Sequence, residues 1–159
     1  MNRDQTWQDA VSLALQAEDE AARFYDSAAA NACDGRGCDM FRQLAEFERS
    51  HYRHLQRLLA AQSEADIAPY LGTAWRAYTP GAPALAAGAD RVRNDLEVLA
   101  IAIKAEQNAR RAYLDLAEHS TGAVREMFLK IADEEELHRR VLEDQHYALT
   151  NRGVWVWGD

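Results

Sequence analysis

A pattern whose residue types suit metal binding occurs twice in this chain. Glu48 and His51 form a Glu-x-x-His, and the pattern returns 87 residues later at Glu135 and His138. Residues three apart on a helix lie on one face, so each copy would present a carboxylate and an imidazole to the same point. A Met-Phe pair that precedes the first copy also precedes the second, which favours a structural repeat over chance.

Each copy has an upstream glutamate and tyrosine that repeat with it. Glu18 and Tyr25 return 88 residues later as Glu106 and Tyr113. If each of these glutamates and each Glu-x-x-His lies on its own helix, four helices bring four carboxylates and two imidazoles to one interior site. This is the ligand set described for di-iron and di-manganese carboxylate bundles.

Charge balance predicts how many metal ions such a site holds. Four buried carboxylates are neutralised by two divalent cations, whereas a single cation would leave two of them uncompensated at a high cost in free energy. Imidazole and carboxylate ligands together suit divalent first-row metals. The predicted roles are bridges for Glu48 and Glu135, terminal ligands for Glu18 and Glu106, and one metal each for His51 and His138.

The residues around these ligands have weaker signals. Tyr25 and Tyr113 each lie two helical turns after a predicted ligand, where a phenol could hydrogen-bond a ligand carboxylate; ordinary core packing is the alternative. A third Glu-x-x-His, Glu143 with His146, has no counterpart 87 residues earlier, so we expect a surface pair. Glu134, beside a predicted ligand, is expected to be a solvated flank of the pattern.

Four helical patterns and one long connection organise the chain. The connection at 62–89 contains all three prolines, with one short helix expected near 73–78. It is long enough to run along a 25-residue helix of roughly 37 Å, whereas the other two connections are short. The predicted fold is therefore all-α, a ferritin-like four-helix bundle with one long crossover between the second and third helices. The helices are expected at about 4–32, 39–61 (with Asp39 as N-cap), 90–119 and from 122 to about 148.

Length and composition predict one domain over residues 1–148 and an aromatic tail at 149–159. The tail is too apolar for solvent, so we expect it to pack either on its own bundle or on a second subunit. A net charge of −8 argues against a nucleic-acid partner. The sequence shows neither a signal peptide nor a membrane span, which makes the cytoplasm the expected location. Cys33 and Cys38 are too few for a four-sulfur metal site, and are interpreted as loop thiols or, alternatively, a redox pair.

The repeated segments resemble the rubrerythrin-like branch of the ferritin-like superfamily. The resemblance is carried by the residues around the six predicted ligands and covers about residues 5–148. It implies two iron ions as cofactor, with manganese or zinc as alternatives, together with oxygen or peroxide chemistry and a homodimer or larger assembly. Rubrerythrins carry a further carboxylate three residues after the glutamate matched by Glu106, where this chain has Ala109. The six ligands that remain resemble those of bacterioferritin-type ferroxidase centres.

Three functions follow from these observations. The leading hypothesis is a di-iron oxidoreductase that reduces peroxide or dioxygen, with electrons from an external donor protein because rubredoxin-like cysteine pairs are absent. The second is a ferroxidase or iron-handling protein, for which Fe(II) itself is the substrate. The third is a metal-binding bundle without turnover, which a redox-inert metal such as zinc would favour.

Overall fold

Four long α-helices account for nearly all of the residues that the structure describes. In the computed structural model of the chain these residues are 7–32, 35–61 and 91–158. The predicted all-α class is confirmed for them. The helices are α1 (Trp7–Asn31), α2 (Gly35–Ala61), α3 (Arg91–Glu118) and α4 (Gly122–Arg152).

The start of α2 differs from the prediction. The helix begins at Gly35, so the prediction of Asp39 as N-cap is wrong, and Asp39 instead lies within the helix, 3.7 Å from Arg42. Gly35 and Gly37, which lie between the first two predicted helices, therefore belong to α2. A Cβ on Gly37 would lie 2.6 Å from the ring of Trp155, so this helical position has to be glycine for the ring to approach.

The ends of α3 and α4 are defined by local hydrogen bonds. Ser120 donates its hydroxyl to the carbonyl of Leu116 at 2.7 Å, so the hydroxyl in the turn between α3 and α4 stabilises the end of α3. α4 continues to Arg152, beyond its predicted end, and closes at Gly153, whose φ of 69° is left-handed. The N–H of Gly153 donates to the carbonyl of Leu149 at 3.0 Å, which is a common glycine C-cap.

The direction of α3 gives the bundle its topology. Helices α1 and α2 pack as one hairpin, and α3 and α4 pack as another. Tyr25 of α1 bonds Glu106 of α3, whereas Glu18 of α1 bonds Tyr113 of α3, so α1 and α3 are antiparallel. Consequently α2 and α3 run in the same direction, and the end of α2 and the start of α3 lie at opposite ends of the bundle. This is the ferritin-like topology that was predicted; the predicted connection at 62–89 and its short helix lie outside the described residues.

Two apolar clusters enclose the middle of the bundle. One combines the first half of α1 and the second half of α2 with the end of α3 and the start of α4, and includes Val11, Leu55 and Phe128. The other is formed from the opposite halves of the helices and includes Phe41 and Leu142. The predicted ligand positions fall between these two clusters along every helix, so apolar side chains close off the site on both sides.

Residues after α4 fold back onto the bundle. Trp155 is buried, and its ring meets that of Phe41 edge-on, with centroids 5.7 Å apart. Arg36 donates to the carbonyl of Trp155 at 3.2 Å, and the N–H of Val156 donates to the side chain of Gln145 at 3.0 Å. The aromatic tail therefore packs on its own chain through Trp155. Among the described residues, no helix has the length and apolar character that crossing a membrane requires.

Candidate metal centre

All six predicted ligands converge at mid-height in the bundle. Each is almost fully buried, with at most 3% of its surface exposed. Their side chains form two groups, and within each group one ligand atom per residue lies within 4.8 Å of the others. The first group is Glu18, Glu48, His51 and Glu135, and the second is Glu48, Glu106, Glu135 and His138.

The two groups share two carboxylates, and each has one histidine at its centre. Nδ1 of His51 lies 3.3 Å from Glu135, 3.4 Å from Glu48 and 3.5 Å from Glu18. Nδ1 of His138 lies 3.1 Å from Glu135, 3.2 Å from Glu48 and 3.7 Å from Glu106. Glu48 and Glu135 thus belong to both groups, which is the position a bridging carboxylate would need. Glu18 and Glu106 each belong to one group, as terminal ligands would.

Two buried tyrosines hold the outer carboxylates from the opposite hairpin. The hydroxyl of Tyr25 donates to Glu106, and the hydroxyl of Tyr113 donates to Glu18. Both rings are almost fully buried. Each phenol therefore bonds a carboxylate of the other hairpin in addition to packing in the core.

The cluster contains polar atoms that the protein leaves unsatisfied. Oε1 of Glu48 and Nδ1 of His51 are fully buried and make no hydrogen bond, which is unusual for buried polar atoms. A cavity of about 10 Å³ lies beside Glu48 and is lined by all four glutamates and by Ala17, Ala21 and Ala109. Unpaired donor atoms around a small polar cavity fit a bound cation, because coordination would satisfy them and offset the burial of four carboxylates.

The half of the bundle formed by α3 and α4 also has a recognisable sequence. Residues 97–152 match the family model Rubrerythrin. The predicted rubrerythrin-like resemblance is thereby confirmed. The match contains Glu106, Tyr113, Glu135 and His138, and the residues equivalent to these in the first hairpin are the ones the sequence repeat identifies.

A solved structure shares the fold of this chain. It is described as a hypothetical protein, Pfu-1136390-001, from Pyrococcus furiosus, and it superposes with a TM-score of 0.72 at 23% sequence identity. The alignment covers 92% of this chain and 91% of that one. At 23% identity, this likeness shows that the two chains share a fold. Among proteins of curated function, none matches the chain.

The four glutamates of the site fall into two kinds according to the direction in which their pKa values are shifted. Burial raises the pKa of Glu18 and of Glu106 well above the usual value, and repulsion from the neighbouring carboxylates adds to it. Burial also acts on Glu48 and Glu135, but the two histidines beside them outweigh it, so the pKa values of both are lowered.

The pKa values of the two histidines shift in the direction opposite to the one that burial alone would produce. Burial lowers the pKa of His51 and of His138, yet the surrounding carboxylates raise both values well above the usual one. Without a metal ion, the protein side chains therefore favour the protonated form of both imidazoles and of the two outer glutamates. A metal ion that bound here would displace such protons, so its affinity would depend on pH.

One residue of the site was missed by sequence reasoning. Glu134, predicted to be a solvated flank, lies with Oε2 only 2.7 Å from Nε2 of His51 and keeps 32% of its side chain exposed. This contact lowers the pKa of Glu134. The sequence carried no repeat signal for it, because the equivalent position in the first hairpin is Phe47.

The remaining candidates stay outside the cluster. Glu143 accepts a hydrogen bond from Arg139, and neither Glu143 nor His146 belongs to the groups that could hold a metal ion. Cys38 is half-buried and a free thiol, whereas Cys33 lies outside the described residues.

Proposed function

We propose that the protein is a di-iron oxidoreductase that reduces peroxide or dioxygen with electrons from an external donor protein. The observation that carries this proposal is the pair of overlapping ligand groups, each with one imidazole and three carboxylates. The shared Glu48 and Glu135 would bridge two metal ions, and one histidine with one outer glutamate would complete each ligand set. Iron is the metal that the rubrerythrin match supports, and reversible one-electron oxidation is the chemistry that bound iron supplies.

The side chains of this chain would prepare the site for that chemistry. The two tyrosine hydroxyls hold the outer carboxylates in place. The apolar clusters on both sides exclude water from the carboxylates and the imidazoles. Three alanines line a small open volume beside the glutamates, so we expect a small oxidant to approach on this side.

A ferroxidase is the second candidate, and Ala109 favours it. Ala109 lines the cavity beside the four glutamates, at the position where the resemblance to rubrerythrins leads one to expect a further carboxylate. Without that carboxylate the site has six ligands, as in bacterioferritin-type centres. In this case Fe(II) would be the substrate that is oxidised, rather than a fixed cofactor.

Metal analysis after anaerobic Fe(II) loading tests the centre itself. Wild type should bind close to two equivalents, and Glu48→Ala should bind one or fewer, because it removes a carboxylate from both groups. Glu143→Ala is the matched control, since it removes the glutamate of the Glu-x-x-His that lies outside the cluster. A wild-type value near zero would refute the proposal.

The two candidate functions differ in which substrate is consumed in repeated turnover, the oxidant or Fe(II). Stopped-flow absorbance should show oxidation of the loaded protein by peroxide or dioxygen. An oxidoreductase should then consume oxidant repeatedly when a chemical reductant is supplied. A ferroxidase should instead oxidise added Fe(II) beyond the two bound equivalents, and iron that reacts with neither oxidant would contradict both functions.

A further inference from the structure

The two histidines of the centre differ in what lies behind the ring. Nε2 of His51 lies 2.7 Å from the carboxylate of Glu134. Behind His138 lies Phe47 instead, with ring centroids 5.1 Å apart, and Nε2 of His138 makes no hydrogen bond with any residue in the described part of the chain. The nitrogen that faces away from the cluster therefore has a carboxylate partner in His51 and has none among the described residues in His138.

This difference arises at equivalent positions of the repeat. Phe47 and Glu134 are separated by the same 87 residues as the two histidines, and each directly precedes the glutamate of its Glu-x-x-His. Because α2 and α4 face each other across the centre, each of these residues contacts the histidine of the other helix. The helix positions correspond, so the difference lies in the side chain: a carboxylate behind one ring and a phenyl group behind the other.

A carboxylate behind an imidazole has a defined effect on its coordination. An ionised carboxylate only accepts hydrogen bonds, so Nε2 of His51 must donate to Glu134. The nitrogen left to coordinate is then Nδ1, which already faces Glu18, Glu48 and Glu135. Partners of this kind fix the tautomer and the orientation of the ring and raise its basicity, and their loss typically costs about 10–100-fold in metal affinity. A phenyl ring packs against the imidazole but accepts no such bond.

We propose that Glu134 is a positioning residue that makes the two metal positions unequal. The position bound by His51 is the tighter one and fills first, and the position bound by His138 is the weaker one. This inference rests on the two-metal centre proposed above and adds an order of occupation to it. Divalent first-row cations are the ligand class concerned.

Titration with Co²⁺ tests the inequality without any redox reaction. Calorimetry and the visible absorption of bound Co²⁺ should resolve two binding steps in the wild type. Glu134→Ala should weaken the tighter step by about 10–100-fold and leave the weaker step unchanged. Glu134→Gln keeps an acceptor but loses the charge. Its affinity at the tighter step should therefore lie between those of the wild type and Glu134→Ala. Glu46→Ala removes an exposed carboxylate that pairs with Arg53, and should change neither step.

The reverse substitution makes the test independent of how Glu134→Ala folds. Phe47 is 45% exposed, so Phe47→Glu should be tolerated and should place a carboxylate behind His138. It should tighten the weaker step toward the affinity of the tighter one, and helix content by circular dichroism should match the wild type. In Zn²⁺-loaded protein, ¹⁵N chemical shifts of the histidines should show His51 protonated at Nε2.

The outcomes separate this inference from the proposed centre. If the wild type binds no Co²⁺, both are overturned. If it binds two Co²⁺ ions but Glu134→Ala and Phe47→Glu leave both steps unchanged, the centre stands and the positioning role of Glu134 is wrong. Two equal steps in the wild type would also overturn the inequality.

Discussion

The hydrogen bond between Tyr113 and Glu18 allows a quantitative test of how the buried tyrosines would support metal binding. Tyr113 is completely buried, and its hydroxyl donates to Glu18 from the opposite hairpin. Tyr113→Phe removes only the oxygen and keeps the ring that packs near Phe128. A bond to a charged acceptor contributes about 1.5–3 kcal/mol, and a bond to a neutral one about 0.5–1.5 kcal/mol.

The protonation of Glu18 determines which of these values applies. Its pKa is raised by burial and by Glu48, so in metal-free protein the tyrosine faces a neutral acid, whereas a bound cation would keep Glu18 ionised. Tyr113→Phe should therefore cost about 1–1.5 kcal/mol more in loaded than in metal-free protein. That difference corresponds to a loss of roughly tenfold in metal affinity.

Calorimetric titration with Co²⁺ and thermal unfolding of loaded protein measure these effects. The melting temperature of loaded Tyr113→Phe should fall by roughly 3–12 °C for a chain of this size. Tyr52→Phe is the matched control, because Tyr52 is only half-buried and lies outside the metal-binding groups. An affinity for Tyr113→Phe equal to that of the wild type would refute the reasoning, as would an equal loss in the control.

Three further predictions concern the cavity, the titration of the site and the tail. Ala109→Glu should place a carboxylate in the cavity beside the four glutamates and increase the preference for peroxide over dioxygen in stopped-flow oxidation of Fe(II)-loaded protein; an unchanged ratio of the two rates would contradict it. Metal-free protein should lose stability as pH rises above the usual values of 4.5 for Glu and 6.5 for His, because the folded state holds protons on groups of raised pKa that the unfolded chain releases. The melting temperatures of loaded and metal-free protein should therefore diverge with increasing pH, and a constant gap between them would count against the converging carboxylates. Gly37→Ala should destabilise the protein by about 1–3 kcal/mol in chemical denaturation because its Cβ meets Trp155 at 2.6 Å; Gly35→Ala, with open space around it, should not.

The six converging side chains could be predicted because they repeat in the sequence and because helices have a fixed period. Spacing of three residues places Glu48 and His51 on one face, and the repeat supplies the second pair without any knowledge of packing. The long connection between the second and third helical patterns similarly indicated the topology. These features are local or periodic, so they can be recognised from the sequence without knowledge of the packing.

Features that depend on packing between distant segments were not predictable in this way. Gly37 lies before the predicted start of the second helix, and the approach of Trp155 explains a glycine at this position of α2. Glu134 looked solvated, and its contact with His51 depends on how α2 and α4 face each other. The sequence likewise left open where the tail packs, since an apolar segment by itself does not specify which surface covers it.

The reciprocal bonds between the hairpins have a consequence for symmetry. Two identical hairpins that assembled around such a centre would form a two-fold symmetric dimer, and every substitution would then appear on both sides at once. In this chain the two hairpins are joined covalently and their sequences differ, although Tyr25 with Glu106 and Tyr113 with Glu18 still obey the two-fold relation. A single chain can therefore keep the symmetry where the four buried carboxylates converge and abandon it elsewhere. Asymmetry between the halves becomes a property that a single point mutation can change.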